Sequence, residues 1–167
     1  MGHGAEVSWI TGEACRAAAR PQDPGMTSSP APPLSGVLET ALYVDDMDRA
    51  RGFWEGVMGL SPMFEDARLT AYPVGGRNAL LLFLRGSTTE TVHMPGGTIP
   101  PHDGHGPIHL ALSIASADLP AWEARFSAHG VAIEGRTDWP KGGRSVYVRD
   151  PDGHLLELAT PGIWPIY

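Results

Sequence analysis

Three residues able to bind a metal or move a proton stand at matching places in a sequence that repeats itself: Glu39, His109 and Glu157. Glu39-Thr-Ala-Leu-Tyr-Val44 reads against His109-Leu-Ala-Leu-Ser-Ile114 at an offset of 70. Thr70-Ala-Tyr-Pro-Val74 reads against Ser145-Val-Tyr-Val-Arg149, and Leu80-Leu-Leu-Phe83 against Leu155-Leu-Glu-Leu158, at an offset of 75. On this alignment the fourth equivalent position is Leu82. Two carboxylates and one imidazole, with an apolar fourth place, form an oxygen-rich donor set that leaves coordination positions open. Such a set suits Mn²⁺, Fe²⁺, Zn²⁺ or Mg²⁺ and disfavours copper(I). Taken singly, Glu39 also reads as a solvent-facing charge and His109 as a hydrogen-bonded strand histidine. Glu157 is harder to place in that way, because a carboxylate buried between leucines costs several kcal/mol unless a cation, a metal or a raised pKa relieves it.

A second tier of residues surrounds these three. Ser145 and Tyr147 are evenly spaced along one strand and precede Glu157 across a hairpin, so they can share its face. Tyr147 can orient a substrate or act as acid or base. Tyr72 aligns with Tyr147 and is expected, with Leu82, on the opposite wall of a cleft. Trp139 offers a stacking surface. Lys141, Arg144 and Arg149 cluster near the hairpin and read as solvated charges or as a steering patch. His93, His102 and His105 match no metal-binding spacing, and His154 is expected to point away from the Glu157 face.

The elements that must position these groups follow from periodicity. Strands are expected over 37–44, 61–65, 69–74 and 79–85, and again over 108–114, 132–137, 145–149 and 155–160. After Asp45-Asp46, which can cap a helix, Ala50, Phe53, Trp54 and Val57 fall on one helical face that ends at Gly59. Ser116 is the expected cap of a second helix whose face is Leu119, Trp122 and Phe126 and whose stop is Gly130. Pro120 is tolerated in its first turn. Asp150-Pro-Asp-Gly153 is a hairpin turn. The five extra residues of the second repeat fit a longer hairpin between Glu134 and Arg144. Residues 87–106, rich in Gly, Pro, Thr and His, read as a connector between modules at about 36–86 and 107–162, or as a partial lid.

Composition narrows the setting. The chain has 167 residues with 12 Lys plus Arg against 19 Asp plus Glu, a net charge of −7, which argues against a general nucleic-acid or anionic-membrane binder. The single cysteine, Cys15, excludes an internal disulfide and a Cys-rich zinc site. No apolar stretch reaches the roughly 20 residues of a membrane span. Residues 1–35 lack periodicity and any signal-peptide core, and read as a disordered or misassigned extension to the domain over 36–167. Met26 offers an alternative start. A cytoplasmic location is expected. The apolar tail Ile163-Trp-Pro-Ile-Tyr167 suggests contact with a second copy, hence a homodimer.

Glu39-Thr-Ala-Leu-Tyr-Val-Asp-Asp46, Ala50-Arg-Gly-Phe-Trp54 and Val57-Met-Gly-Leu60 resemble the opening of the vicinal oxygen chelate superfamily. Gly106-Pro-Ile-His-Leu-Ala111 and Tyr147-Val-Arg-Asp-Pro-Asp-Gly-His-Leu-Leu-Glu157 resemble its second half. That superfamily includes glyoxalase I, bleomycin- and fosfomycin-resistance proteins and extradiol dioxygenases. The resemblance runs from about Leu34 to Pro161. It implies an α+β fold of two βαβββ modules forming a cupped mixed sheet around a divalent metal, with ligands at Glu39, His109 and Glu157. It also implies substrate contacts at the positions of Ser145 and Tyr147, as in fosfomycin-resistance relatives. Many three-ligand members have histidine where this chain has Glu39, and glyoxalase I has a carboxylate at the place assigned to Leu82, so neither activity transfers directly. The expected function is metal-dependent lyase or isomerase chemistry on a small molecule with vicinal oxygens, favoured over ring-cleaving dioxygenation. The alternative is a metal-free protein that sequesters a drug in the same cleft.

Overall fold

Each repeat folds as a βαβββ module with its own four-stranded mixed sheet, and the two together make an α+β fold. The computed structural model describes residues 30–167, within which Gly36–Tyr167 form one unit. Residues 1–29, with Cys15, Met26 and most of the expected extension, lie outside the described residues.

In the first module β1 (Glu39–Val44) leads into α1 (Met47–Arg51). Asp46 caps that helix, its carboxylate accepting the Arg49 N–H at 3.0 Å. The helix widens into a π-helical stretch over Gly52–Val57, where the Met58 N–H donates to the Phe53 carbonyl at 3.0 Å. Ala50, Phe53, Trp54 and Val57 are all buried, as their spacing predicts. Then come β2 (Phe64–Glu65), β3 (Leu69–Val74) and β4 (Asn78–Leu84), arranged β1-β4-β3-β2 with β1 parallel to β4. The connector is more ordered than a plain linker, since β5 (Val92–Met94) and β6 (Gly97–Ile99) form a hairpin. The second module repeats the plan with β7 (His109–Ser113), α2 (Leu119–Ala128), β8 (Gly135–Asp138), β9 (Arg144–Arg149) and β10 (Leu155–Ala159), ordered β7-β10-β9-β8. Ser116 opens a 3₁₀ turn rather than capping α2, and Asp118 occupies the cap position. Among the described residues no helix is long and apolar enough to cross a membrane.

Strand register corrects the internal alignment by one residue. Glu39 lies beside Ala79, and His109 beside Leu155, so Leu81 rather than Leu82 is the counterpart of Glu157. Leu81 and Glu157 in turn lie beside Ala71 and Tyr147, so Ala71 rather than Tyr72 matches Tyr147. Phe64 corresponds to Gly135, an offset of 71, against 76 for these later strands. Five of the extra residues therefore sit in the β8–β9 hairpin, as expected, and one more precedes β2 and β8. A slip of one residue exchanges the two faces of a strand. Tyr72 and Leu82 accordingly point into the core, both at 0% exposure, rather than toward the face that carries Leu81 and Ala71. The Tyr72 hydroxyl donates to Glu55 Oε1 at 3.1 Å, and burial pushes its phenol well above the ordinary value.

One core serves both modules. Leu42, Val44, Tyr72, Leu80 and Leu82 from the first sheet join Val146, Val148, Leu156 and Leu158 from the second, with Trp54, Leu119 and Phe126 from the helices. Each such buried side chain contributes about 1.5–3 kcal/mol. By strand alternation Glu39, Ala41 and Tyr43, and likewise His109, Ala111 and Ser113, face away from that shared core. Polar pins reinforce the docking. Asp152 Oδ1 accepts from the Asp45 N–H at 2.8 Å and from Arg49 at 2.9 Å, and Arg125 donates to the carbonyls of Val57 and Gly56 at 2.5 and 2.8 Å.

The C-terminal segment returns onto the second sheet. The Tyr167 hydroxyl donates to the carbonyls of Ile114 and Ala159 at 2.9 and 3.1 Å. Gly162, at φ +105°, presses on the β8–β9 loop so closely that a Cβ there would lie 2.6 Å from the Gly143 nitrogen. Gly162→Ala is therefore expected to cost about 1–3 kcal/mol through strained backbone and overpacking. Urea unfolding checks this, and an unchanged midpoint would refute the close approach.

Candidate metal centre

Cross-strand pairing in the second module gathers a polar cluster on the outward sheet face. Glu157 of β10 stands opposite Tyr147 of the antiparallel β9 and Ala111 of the parallel β7. Ser145 lies two residues before Tyr147, and His109 two before Ala111, so period-two alternation brings all four side chains to one face. The two Glu157 oxygens are used differently. Oε1 accepts from the Ser145 hydroxyl at 2.5 Å and from the Tyr147 hydroxyl at 3.2 Å. Oε2 faces His109 Nε2 at 3.3 Å. Glu157 and Ser145 are buried, whereas the His109 side chain is half exposed. Burial, and then the charge of Glu157, raise the Tyr147 phenol above its ordinary value, keeping it a proton donor.

The other ring nitrogen sets what His109 presents. Nδ1 lies 3.2 Å from the Leu155 carbonyl, which can only accept, so Nδ1 carries the proton there. A neutral His109 then turns the Nε2 lone pair toward the Glu157 carboxylate. Two electron-pair donors facing at that distance require a proton or a cation between them. Ligand bonds of about 2.0–2.2 Å meeting at an ordinary coordination angle place donor atoms about 3–3.5 Å apart. The residues present therefore fit a divalent ion, with the Leu155 carbonyl, Ser145 and Tyr147 as the outer partners that such ligands need.

Glu39 does not join them within one chain. It is exposed at the start of β1, and among the described residues no three His, Cys, Asp or Glu side chains gather as a metal site. The shared core explains the separation, because it turns the outward faces of the two sheets away from each other. The fourth place is taken by Leu81, not Leu82.

Arg144 pairs with Asp138 at 3.1 Å, and Arg149 pairs with Glu134 at 3.1 Å while donating to the Gly153 carbonyl at 2.7 Å, so two of the three steering cations are already engaged. His154 points away from the Glu157 face, fully buried with Nδ1 2.8 Å from Asp150 Oδ2. Of the connector histidines, His102 packs edge-on against the stacked pair Tyr43 and Phe83, its Nδ1 2.6 Å from the Tyr43 hydroxyl. Gly104 lies against the same ring, where a Cβ would come within 2.5 Å. The connector thus covers part of the outward face of the first sheet, and no residue pattern in the loop marks His102 as the side chain that makes the contact. Trp139 donates its indole N–H to Ser145 Oγ at 2.8 Å, a hydrogen-bonding role that its aromatic character did not suggest.

Comparison with known proteins supplies relatives. The family described as "Glyoxalase/Bleomycin resistance protein/Dioxygenase superfamily" matches residues 36–158. A metallothiol transferase FosB from Shouchella clausii is 30% identical over 129 residues, covering 76% of this chain and 81% of the relative. The FosB of Staphylococcus epidermidis is 27% identical over 76% of this chain and 82% of its own. Among solved structures, a lactoylglutathione lyase from Agrobacterium tumefaciens superposes with a TM-score of 0.73 at 33% identity, covering 80% of this chain and 99% of that one. The fosfomycin resistance protein FosX of Listeria monocytogenes shares the fold at a TM-score of 0.56 and 22% identity, over 76% of this chain and 93% of that one.

Proposed function

The chain belongs to the glyoxalase/bleomycin resistance protein/dioxygenase superfamily, and from that premise we propose that it is a metal-dependent enzyme acting on a small molecule with two vicinal oxygens. The observation that carries this reading is the facing pair of His109 Nε2 and Glu157 Oε2, with the second carboxylate oxygen already engaged by Ser145 and Tyr147. His109 and Glu157 would hold the ion, which when bound supplies Lewis-acid polarisation of substrate oxygens. Tyr147 holds Glu157 by the longer of the two hydroxyl bonds, 3.2 Å, so its proton is the one a substrate oxygen can best compete for. Ser145 gives its single proton to Glu157 and so serves the ligand before any substrate. The names of the relatives, a lyase and metallothiol transferases, favour lyase or transfer chemistry over ring cleavage.

Glu39 belongs to the site through a homodimer. β1 and β7 are edge strands of separate sheets, and their outward faces carry Glu39 and His109. A second copy that sets its β1 edge beside this β7 brings the partner subunit's Glu39 to the pair and covers two strand edges that would otherwise stay unpaired.

Protein purified without chelators is expected to retain, or to take up, about one divalent ion per chain, measured by elemental mass spectrometry. The Mn²⁺ or Fe²⁺ form is then titrated with fosfomycin, 2-oxoaldehyde–thiol adducts and catechols, watching the metal's spectrum. Failure to bind any added divalent metal rejects the enzyme reading and leaves the metal-free drug-binding alternative. A response to catechols alone shifts the chemistry toward ring cleavage.

A further inference from the structure

Resting on that reading of the metal site, we infer that Trp139 is a positioning residue that fixes the Glu157 carboxylate in its ligand orientation through Ser145. The direction of the chain of bonds follows from donor and acceptor chemistry. An indole N–H can only donate, so Trp139 can occupy only a lone pair of Ser145 Oγ. The single Ser145 proton is then directed onward to Glu157 Oε1, which also accepts from Tyr147. With Oε1 committed twice, Oε2 is the oxygen left to face His109. Ser145 is 1% exposed and Glu157 7%, so these bonds lie where little water competes and where a lost donor is felt strongly.

Trp139 is itself held. Its backbone N–H donates to the Gly143 carbonyl at 2.8 Å, and its own carbonyl accepts from the Gly142 N–H at 2.9 Å, closing the β8–β9 loop. Gly143 packs against Gly162 and Ile163, so the C-terminal segment braces the loop from behind. The first module supplies an internal control. Its β2–β3 hairpin lacks the five extra residues, and the counterparts of Ser145, Tyr147 and Glu157 are Leu69, Ala71 and Leu81. The inserted loop and the polar set it supports occur in the same module and are both missing from the other.

Trp139→Phe keeps the aromatic packing and removes the N–H. Mn²⁺ affinity, measured by calorimetry, is expected to fall about tenfold, as for loss of other outer partners of metal ligands, with a changed visible spectrum of the Co²⁺ form. Ser145→Ala should lose a comparable amount, and the double variant should be no worse than Ser145→Ala alone, because both act through one bond to Glu157. Additive losses, or a Trp139→Phe protein with unchanged affinity and spectrum, overturn the inference while the metal site stands. A wild-type protein that binds no metal instead overturns the proposed function. A second measurement needs no change at Trp139: its indole N–H resonance should shift on Zn²⁺ binding and lose exchange protection in Ser145→Ala. A resonance that does neither rejects the relay.

Discussion

Replacing Glu157 by Gln is expected to weaken divalent-metal binding at least tenfold, about 1.4 kcal/mol, with little loss of folding stability. Gln keeps the volume of the side chain, and its amide oxygen can still accept from Ser145 and Tyr147 at the place of Oε1. The change is concentrated on the other side. An amide nitrogen would replace Oε2, present N–H donors to His109 Nε2, and close with a neutral hydrogen bond the gap that a cation would fill. One charge and one metal-facing donor atom vanish together. Calorimetric titration with Mn²⁺ beside a thermal melt separates the two effects. Equal affinity in variant and wild type, with both folded, would sink the assignment of Glu157 as a ligand.

The second large effect is complementation between copies. Glu39→Gln and Glu157→Gln homodimers should each bind metal poorly, yet an equal mixture, unfolded and refolded together, should regain about a quarter of the wild-type sites. In a mixed dimer one site carries both substitutions and the other carries neither, and half of randomly assembled dimers are mixed. If Glu39 instead served the His109–Glu157 pair of its own chain, every site in the mixture would hold one substitution and nothing would be regained. The arrangement that motivates this is visible within one chain, where the shared core turns the Glu39 and His109 faces apart. Light scattering must show a dimer near twice the 17.8 kDa chain mass, and a monomer at high micromolar concentration rejects the two-chain site outright.

What the sequence determined by itself is what depends on short-range periodicity. Side chains in a strand alternate, so Ser145 and Tyr147 had to share a face, and the Asp150-Pro-Asp-Gly153 turn folded that face onto Glu157. The apolar spacing of Ala50, Phe53, Trp54 and Val57 likewise fixed which side of the first helix is buried. His154 on the opposite side from Glu157 followed from the same alternation. Register was legible only to within a residue. The run Leu80-Leu-Leu-Phe83 is apolar on both faces, so no pattern within it reports the single extra residue that precedes β2 and β8, and pairing with β1 and β3 alone turned Leu82 and Tyr72 inward and Leu81 outward. The tertiary structure also decided the contacts made by loops, His102 on Tyr43 and Trp139 on Ser145, because an irregular backbone carries no period from which a partner can be read. It decided, finally, that Glu39 and His109 stand apart in one chain. Equivalent positions in a repeat share a local environment, but whether they meet depends on which faces of the two modules are packed together, and here the leucine, valine and tyrosine faces took that place because they bury the most apolar surface.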